Sequence, residues 1–258
     1  MKKAIKMLVL DMAGTTVNEN NIVYKTLQTA INIVGHYQLS LGDVLKHGAG
    51  KEKFQAIRTV LKNCLDVDDD KLALQIFEVF RKELKVAYKE QEIYPNAHAE
   101  QLFAALKERE LIGVLNTGYD RQTAEFLMKK LNWKVGRDVD ALITATDVTK
   151  GRPEPDMIDL ARTKFGISDA AQVIKIGDSI IDIEEGRCAG CALSIGITTG
   201  AHTAVQLKQA HADYVLDDLL EIISIVDRYN TGILQPLDIH SKTFDGKTQE
   251  NWIHSEKA

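Results

Sequence analysis

The stretch Met7-Leu-Val-Leu-Asp11-Met-Ala13-Gly14-Thr15-Thr16-Val17 decides the fold: an apolar run that stops at a carboxylate followed by small and hydroxylated residues. From Ala4 to Leu10 nearly every position is apolar, which suits a strand covered on both faces, and open α/β sheets carry their chemistry at the carboxyl ends of such strands. Asp11 occupies that end. Gly14 permits a tight turn, and Thr15 and Thr16 offer hydroxyls and backbone N–H groups that can hold an anion. Taken alone, the stretch also fits an aspartate that only caps a turn.

Composition sets the bounds. The 258 residues are 45% hydrophobic and 27% charged, with a formal net charge of −5. That is ordinary globular material, long enough for one large domain or one domain with a substantial insertion. The negative balance gives a nucleic-acid partner no compositional support. No run reaches the length of a membrane span. Met1, Lys2 and Lys3 resemble the start of a signal peptide, but Asp11 interrupts the apolar run too early. The sequence reads as a soluble, cytoplasmic protein with neither nucleic-acid nor membrane partners. Cys64, Cys188 and Cys191 are too few and too unevenly placed for a disulfide framework, and Cys188 and Cys191, despite redox-motif or half-zinc-site spacing, are read as ordinary buried thiols.

Beyond Val17 the periodicity becomes helical. Ile22, Val23, Leu27, Ala30, Ile31 and Val34 share one face, with a stop at Gly35. Further helical segments are expected around Gly42 to His47 and from Lys51 to Asn63, separated by Gly48-Ala-Gly50. Asp68, Asp69 and Asp70 form a capping cluster before a long helix with Leu72, Ile76, Val79, Phe80, Leu84 and Ala87 on one side. Residues 18–98 therefore read as wholly helical. From Pro95 onward helices alternate with short apolar strands at Leu111–Leu115, Ala141–Thr144, Val173–Ile176, Ala192–Ile197 and Tyr214–Leu216, the pattern of a parallel sheet with right-handed crossovers. The expected architecture is α/β, a doubly wound, mostly parallel sheet. Residues 1–17 and 99–258 form its discontinuous core, and 18–98 an inserted all-helical cap. Residues 230–258 read as a polar, packed-down or frayed tail. The apolar helical block hints at a homodimer through the cap.

Four strand ends carry polar groups: Asp11; Asn116-Thr117-Gly118-Tyr119; Lys150-Gly151-Arg152-Pro153; and Gly177-Asp178-Ser179 with Asp182. On one edge of a parallel sheet these bring together carboxylates, a hydroxyl and a guanidinium. Crowded carboxylates repel unless a cation joins them, and Asp11, Asp178 and Asp182 are hard oxygen donors suited to Mg²⁺. Thr117 can donate to a phosphate, and Arg152 supplies a permanent fork of donors. Such a set suits phosphoryl transfer, with an aspartate attacking phosphorus.

In these motifs the chain resembles the haloacid dehalogenase superfamily, and DMAGTTV at 11–17, NTGY at 116–119, GRPEP at 151–155 and IKIGDSIIDIEEGRCAG at 174–190 are similar to its phosphonoacetaldehyde hydrolase (phosphonatase) branch. The resemblance implies a Rossmann-like core and a Mg²⁺ ion held by Asp11, the Ala13 carbonyl and Asp178, with Asp182 in support. It also implies a substrate site made from Ala13, Gly14, Thr15, Gly118 and Tyr119. Most members carry a second aspartate where this chain has Ala13, and a methyl group cannot protonate a leaving alkoxide. Breaking a C–P bond avoids the alkoxide but requires a stabilised carbanion, which a lysine imine provides.

In the phosphonatase branch that lysine follows a G-x-x stretch in the cap, which points to Lys51, with Lys53 expected to face elsewhere. Departures are also present: His47 and Phe54 replace a methionine and a histidine of the branch, its early cap cysteine falls at Asn21, and His47 is a candidate for proton transfer. The expected activity is Mg²⁺-dependent cleavage of phosphonoacetaldehyde or a close relative. Two alternatives stay open, a phosphatase without an imine and a non-catalytic relative that binds phosphometabolites.

Overall fold

The computed structural model describes residues 3–233. A six-stranded parallel sheet runs in the order β5 (Ala141–Thr144), β4 (Ile112–Thr117), β1 (Met7–Asp11), β6 (Val173–Gly177), β7 (Leu193–Ile197) and β8 (Tyr214–Leu216). Within β1 the alternation of side chains splits the core in two. Leu8 and Leu10 join the cluster on one face, and Met7 and Val9 the cluster on the other. All five residues of the strand are buried, as a central parallel strand requires. The last described helix, α10 (Glu221–Asn230), returns to the foot of β1, where the Asn230 amide oxygen accepts the Ile5 N–H at 2.7 Å. Of the expected tail, Ile233 is exposed, and Leu234, Phe244 and Trp252 lie outside the described residues. Among the described residues no helix is long and apolar enough to cross a membrane.

Between β1 and β4 the chain builds α1 (Ile22–Gly35), α2 (Leu41–Gly48), α3 (Lys53–Leu65) and α4 (Asp70–Glu90). Each of the last three has a side-chain cap. The Ser40 hydroxyl accepts from Asp43 N, Glu52 accepts from Phe54 N and Gln55 N, and Asp69 accepts from Lys71 N and Leu72 N. Three expectations are corrected here. The block is not wholly helical, because its two connections, β2 (Val17–Asn18) and β3 (Tyr94–Pro95), pair as a short antiparallel ribbon. Helix α3 begins at Lys53 with Glu52 as its cap, so Lys51 sits in the preceding turn. A carboxylate that can reach two N–H groups sets that boundary. Cys188, expected to be buried, is exposed, because it ends its helix on the surface.

Glu19, just past β2, ties the pieces together. Only 3% exposed, it accepts the Val23 N–H at 2.8 Å and the Tyr88 hydroxyl at 3.3 Å, and the Tyr88 and Tyr119 hydroxyls lie 2.7 Å apart. The incoming connection, the end of α4 and the turn after β4 thus share one buried chain of hydrogen bonds. Burial pushes the Glu19 carboxyl up to about 7, against the opposing pull of the Val23 N–H, Tyr88, Lys53 and Lys25. A carboxyl raised on folding favours the folded state below its unfolded value and loses that contribution as pH rises through about 7. Over that span this group alone removes about 3 kcal/mol of stability. Glu19→Gln keeps an acceptor for Val23 and removes the titration. Urea unfolding at pH 5 and pH 8 is therefore expected to show a smaller loss of stability in Glu19→Gln than in the parent; equal losses would mean that Glu19 does not titrate in this range.

Candidate active site

Sheet order places the site. β1 lies between β4 and β6, with Asp11 in register with Asn116, so Asp11, Thr117 and the residues after Gly177 meet at one carboxyl edge, where the strand order reverses. The turn after Asp11 is closed by Gly14 N–H to Val17 O at 2.9 Å, and the Thr16 hydroxyl bonds Asp11 O at 2.9 Å. The Thr15 hydroxyl reaches Asp178 Oδ1 at 3.1 Å. Gly14 has φ +88° and lies against the Asp178 carboxylate, so any side chain there would collide with it. The returning connection clamps the same turn, with the Asn96 amide donating to Gly14 O at 3.0 Å and Thr15 O at 2.9 Å.

Arg152 is only 2% exposed. Its Nη1 is 2.7 Å from Asp11 Oδ1 and 3.0 Å from Asp182 Oδ1, its Nε is 2.9 Å from Glu185 Oε2, and its Nη2 donates to Asn116 O at 2.8 Å and to Asn116 Oδ1. A second buried cation, Lys175 in β6, lies 2.8 Å from Asp182 Oδ1 and 3.3 Å from Glu185 Oε2. Asp182 and Glu185, three apart on α8 (Ile180–Cys188), thus share both cations. Burial works to raise the Asp182 carboxyl, but Arg152 and Lys175 hold it low. Burial and the charge of Asp182 push Asp11 up to about 6 despite Arg152 and Lys175, and burial with Asp11 and Asp182 drives Asp178 well above the usual carboxylate range.

Four carboxylates, Asp11, Asp178, Asp182 and Glu185, therefore meet two buried cations, leaving two negative charges uncompensated when all are ionised. Oxygens of Asp11, Asp178 and Asp182 lie within 4.8 Å of one another, the one cluster of its kind among the described residues. This set of hard oxygen donors, with its excess charge, fits one small divalent cation. Asp182, already engaged by Arg152, Lys175 and Ser179, is placed to support such a site, while Asp11 and Asp178 carry the excess.

The other expected residues are distributed unevenly. Thr117 is buried, its hydroxyl accepting the Tyr119 N–H at 3.2 Å. Gly118 lies directly under the cap turn, where an added Cβ would meet the carbonyl oxygens of Gly50 and Lys51 at 3.0 Å. Ala13 is partly buried in the turn after Asp11. His47 is drawn away, its Nδ1 3.3 Å from Asn63 Nδ2 between α2 and α3, and no hydrogen bond joins it to the core among the described residues. Contrary to the expectation for Lys53, its side chain turns inward. It is 8% exposed, its Nζ donates to Lys51 O at 2.8 Å, and it lies 5.5 Å from the Tyr24 ring centroid and 5.1 Å from that of Tyr119. Helical spacing could not predict this, because Lys51 precedes the helix.

Sequence reasoning also missed Lys175 and Glu185. The available signal was a lysine between apolar neighbours in a central strand, with Asp182 and Glu185 spaced for one helix face. The loop Thr199–His202 gave no local signal, yet Ala201 N–H bonds Asp178 Oδ2 at 2.6 Å and His202 N–H bonds Asp178 O at 3.2 Å.

A family model of haloacid dehalogenase-like hydrolases matches residues 5–190. A curated relative, the phosphonoacetaldehyde hydrolase of Latilactobacillus sakei, is 26% identical over an alignment that covers 88% of this chain and 97% of its own. Among solved structures, a phosphonoacetaldehyde hydrolase-like protein from Oleispira antarctica superimposes with a TM-score of 0.76 at 21% identity, covering 90% of this chain and 96% of the other. A hydrolase from Pseudomonas syringae superimposes with a TM-score of 0.75 at 20% identity, covering 87% and 98%. At these identities the structural likeness shows the fold.

The buried charges generate two expectations. Arg152→Ala strands carboxylates inside the protein and should lower unfolding stability by about 3–5 kcal/mol, whereas Arg152→Lys keeps a charge and should recover part of the loss; denaturant midpoints of both variants check this, and unchanged midpoints would contradict the buried network. Asp178→Asn should weaken binding of a small divalent cation, titrated calorimetrically with Mg²⁺ as the probe, by at least about tenfold while the fold stays intact.

Proposed function

The chain belongs to the haloacid dehalogenase-like hydrolases, and on that premise we propose that it is a Mg²⁺-dependent hydrolase of the phosphonatase type. Its substrate is phosphonoacetaldehyde or a close relative. The observation that carries this reading is the pairing of a well-held nucleophile with a neighbour that has no proton to give: Asp11 is fixed by Arg152, and residue 13 is alanine. Bound Mg²⁺ would be held by Asp11, the Ala13 carbonyl and Asp178, and it supplies neutralising charge for the phosphoryl oxygens.

Arg152 positions one oxygen of Asp11 and leaves the other to attack phosphorus, forming an aspartyl-phosphate that water later hydrolyses. For the carbon side, an amine attacks the carbonyl and water departs. As the C–P bond breaks, its electron pair moves into the imine to give an enamine. Protonation at carbon and hydrolysis then release the aldehyde and restore the amine. The resemblance assigns this amine to Lys51. Geometry supports Lys53, a buried amine between two tyrosine rings with no carboxylate partner among the described residues. Burial lowers its pKa to about 8, so a useful fraction is neutral near pH 7.

Borohydride reduction in the presence of phosphonoacetaldehyde, followed by peptide mapping, tests the reading. The expected adduct is on Lys53, with a yield that rises with pH through about 8. Lys53→Arg should lose adduct and C–P cleavage together. An adduct on Lys51 would return the role to that residue. Phosphate release from phosphate esters with no adduct on either lysine would replace this reading by the phosphatase one.

A further inference from the structure

A cavity of about 670 Å³ opens between α4 and the turn that follows β4. Its walls are apolar, with Phe77, Phe80, Leu84 and Tyr88 at helical spacing along α4 and with Tyr119 and Phe126 opposite. Arg81, Lys85 and Lys89, each four residues on, form a row of cations along one shoulder, and Lys53 lies at the inner end. Two acidic residues also line it, but both are engaged in helix capping. Glu52 accepts from Phe54 N and Gln55 N, and Asp120 accepts from Thr123 N at the start of α6 (Arg121–Lys130). None of the four cations has an ion-pair partner among the described residues. The space is thus greasy, positively charged and far larger than a two-carbon aldehyde fills.

Gly118, beside Thr117 at the carboxyl edge, and Lys53, which lies within electrostatic reach of Asp11 and Arg152, both line the cavity. We propose that it seats the body of the substrate, a larger relative of phosphonoacetaldehyde that keeps the carbonyl β to phosphorus and carries an apolar or aromatic skeleton with a second anionic group at its far end. This rests on the reading of the Asp11 cluster as the phosphoryl site. The apolar walls exclude water around the skeleton, and the row on α4 offers the distal anion partners that no carboxylate among the described residues occupies.

The test reads binding of uncleavable compounds to the full-length, Mg²⁺-loaded protein by calorimetric titration, so its result does not depend on whether the chain breaks a C–P bond. Inorganic phosphate reports separately on the Asp11 site. 4-Carboxybenzylphosphonate is expected to bind at least about tenfold more tightly than methylphosphonate. The double variant Arg81→Ala, Lys85→Ala, which alters only exposed side chains, should erase that margin while inorganic phosphate and methylphosphonate bind as before. Absence of the margin in the parent, or its survival in the double variant, would overturn the proposal. So would equally tight binding of 4-methylbenzoate, which has no phosphonate and would mark an independent anion site.

Discussion

The rest of the site depends on the burial of one guanidinium among carboxylates. Arg152 cannot be neutralised by losing a proton and has almost no exposed surface, so its charge must be met by the protein itself. Asp11, Asp182 and Glu185 meet it, and Lys175 balances the overlap. The planar fork then dictates geometry: one edge holds Asp11, another holds Glu185, and the Asn116 backbone and amide take what remains. Burying such charges gives little net stability, because desolvation offsets most of the attraction. What it secures is position. A carboxylate held by a fixed donor keeps its orientation without further reorganisation.

The second constraint is the closeness of cap to core. Gly118 has the backbone of Gly50 and Lys51 resting on it, and the Tyr24 hydroxyl accepts the Gly50 N–H at 2.8 Å. The Glu19, Tyr88 and Tyr119 chain crosses the same junction. Together they hold the amine of Lys53 against the rings of Tyr24 and Tyr119, with no carboxylate partner among the described residues. A buried amine held only by a carbonyl oxygen is costly to keep charged, and burial lowers its pKa to about 8.

Much of the molecule was legible in the sequence. The apolar strand ending at Asp11, the alternation after Pro95, the cap helices and the assembly of Asp11, Thr117, Arg152 and Asp178 on one edge all follow from periodicities and spacings local to the chain. A parallel sheet turns those local signals into spatial ones, because every strand that starts at one edge must end at the other. The family followed from the same motifs.

The tertiary structure decided what depends on which groups share a low-dielectric space. Lys175 and Glu185 read as ordinary residues of a strand and a helix until Arg152 is placed between them and Asp11. Lys51 and Lys53 differ by two positions, and only the cap of Glu52 on α3 determines that the second of them turns inward. The Thr199–His202 loop holds Asp178 through backbone N–H groups, which leave no trace in side-chain identity. Sequence by itself determined the elements, their order and the edge at which the chemistry sits, because these are properties of neighbouring residues. Charge balance, desolvation and which of two nearby lysines is buried are properties of residues far apart in the chain, and only packing brings them together.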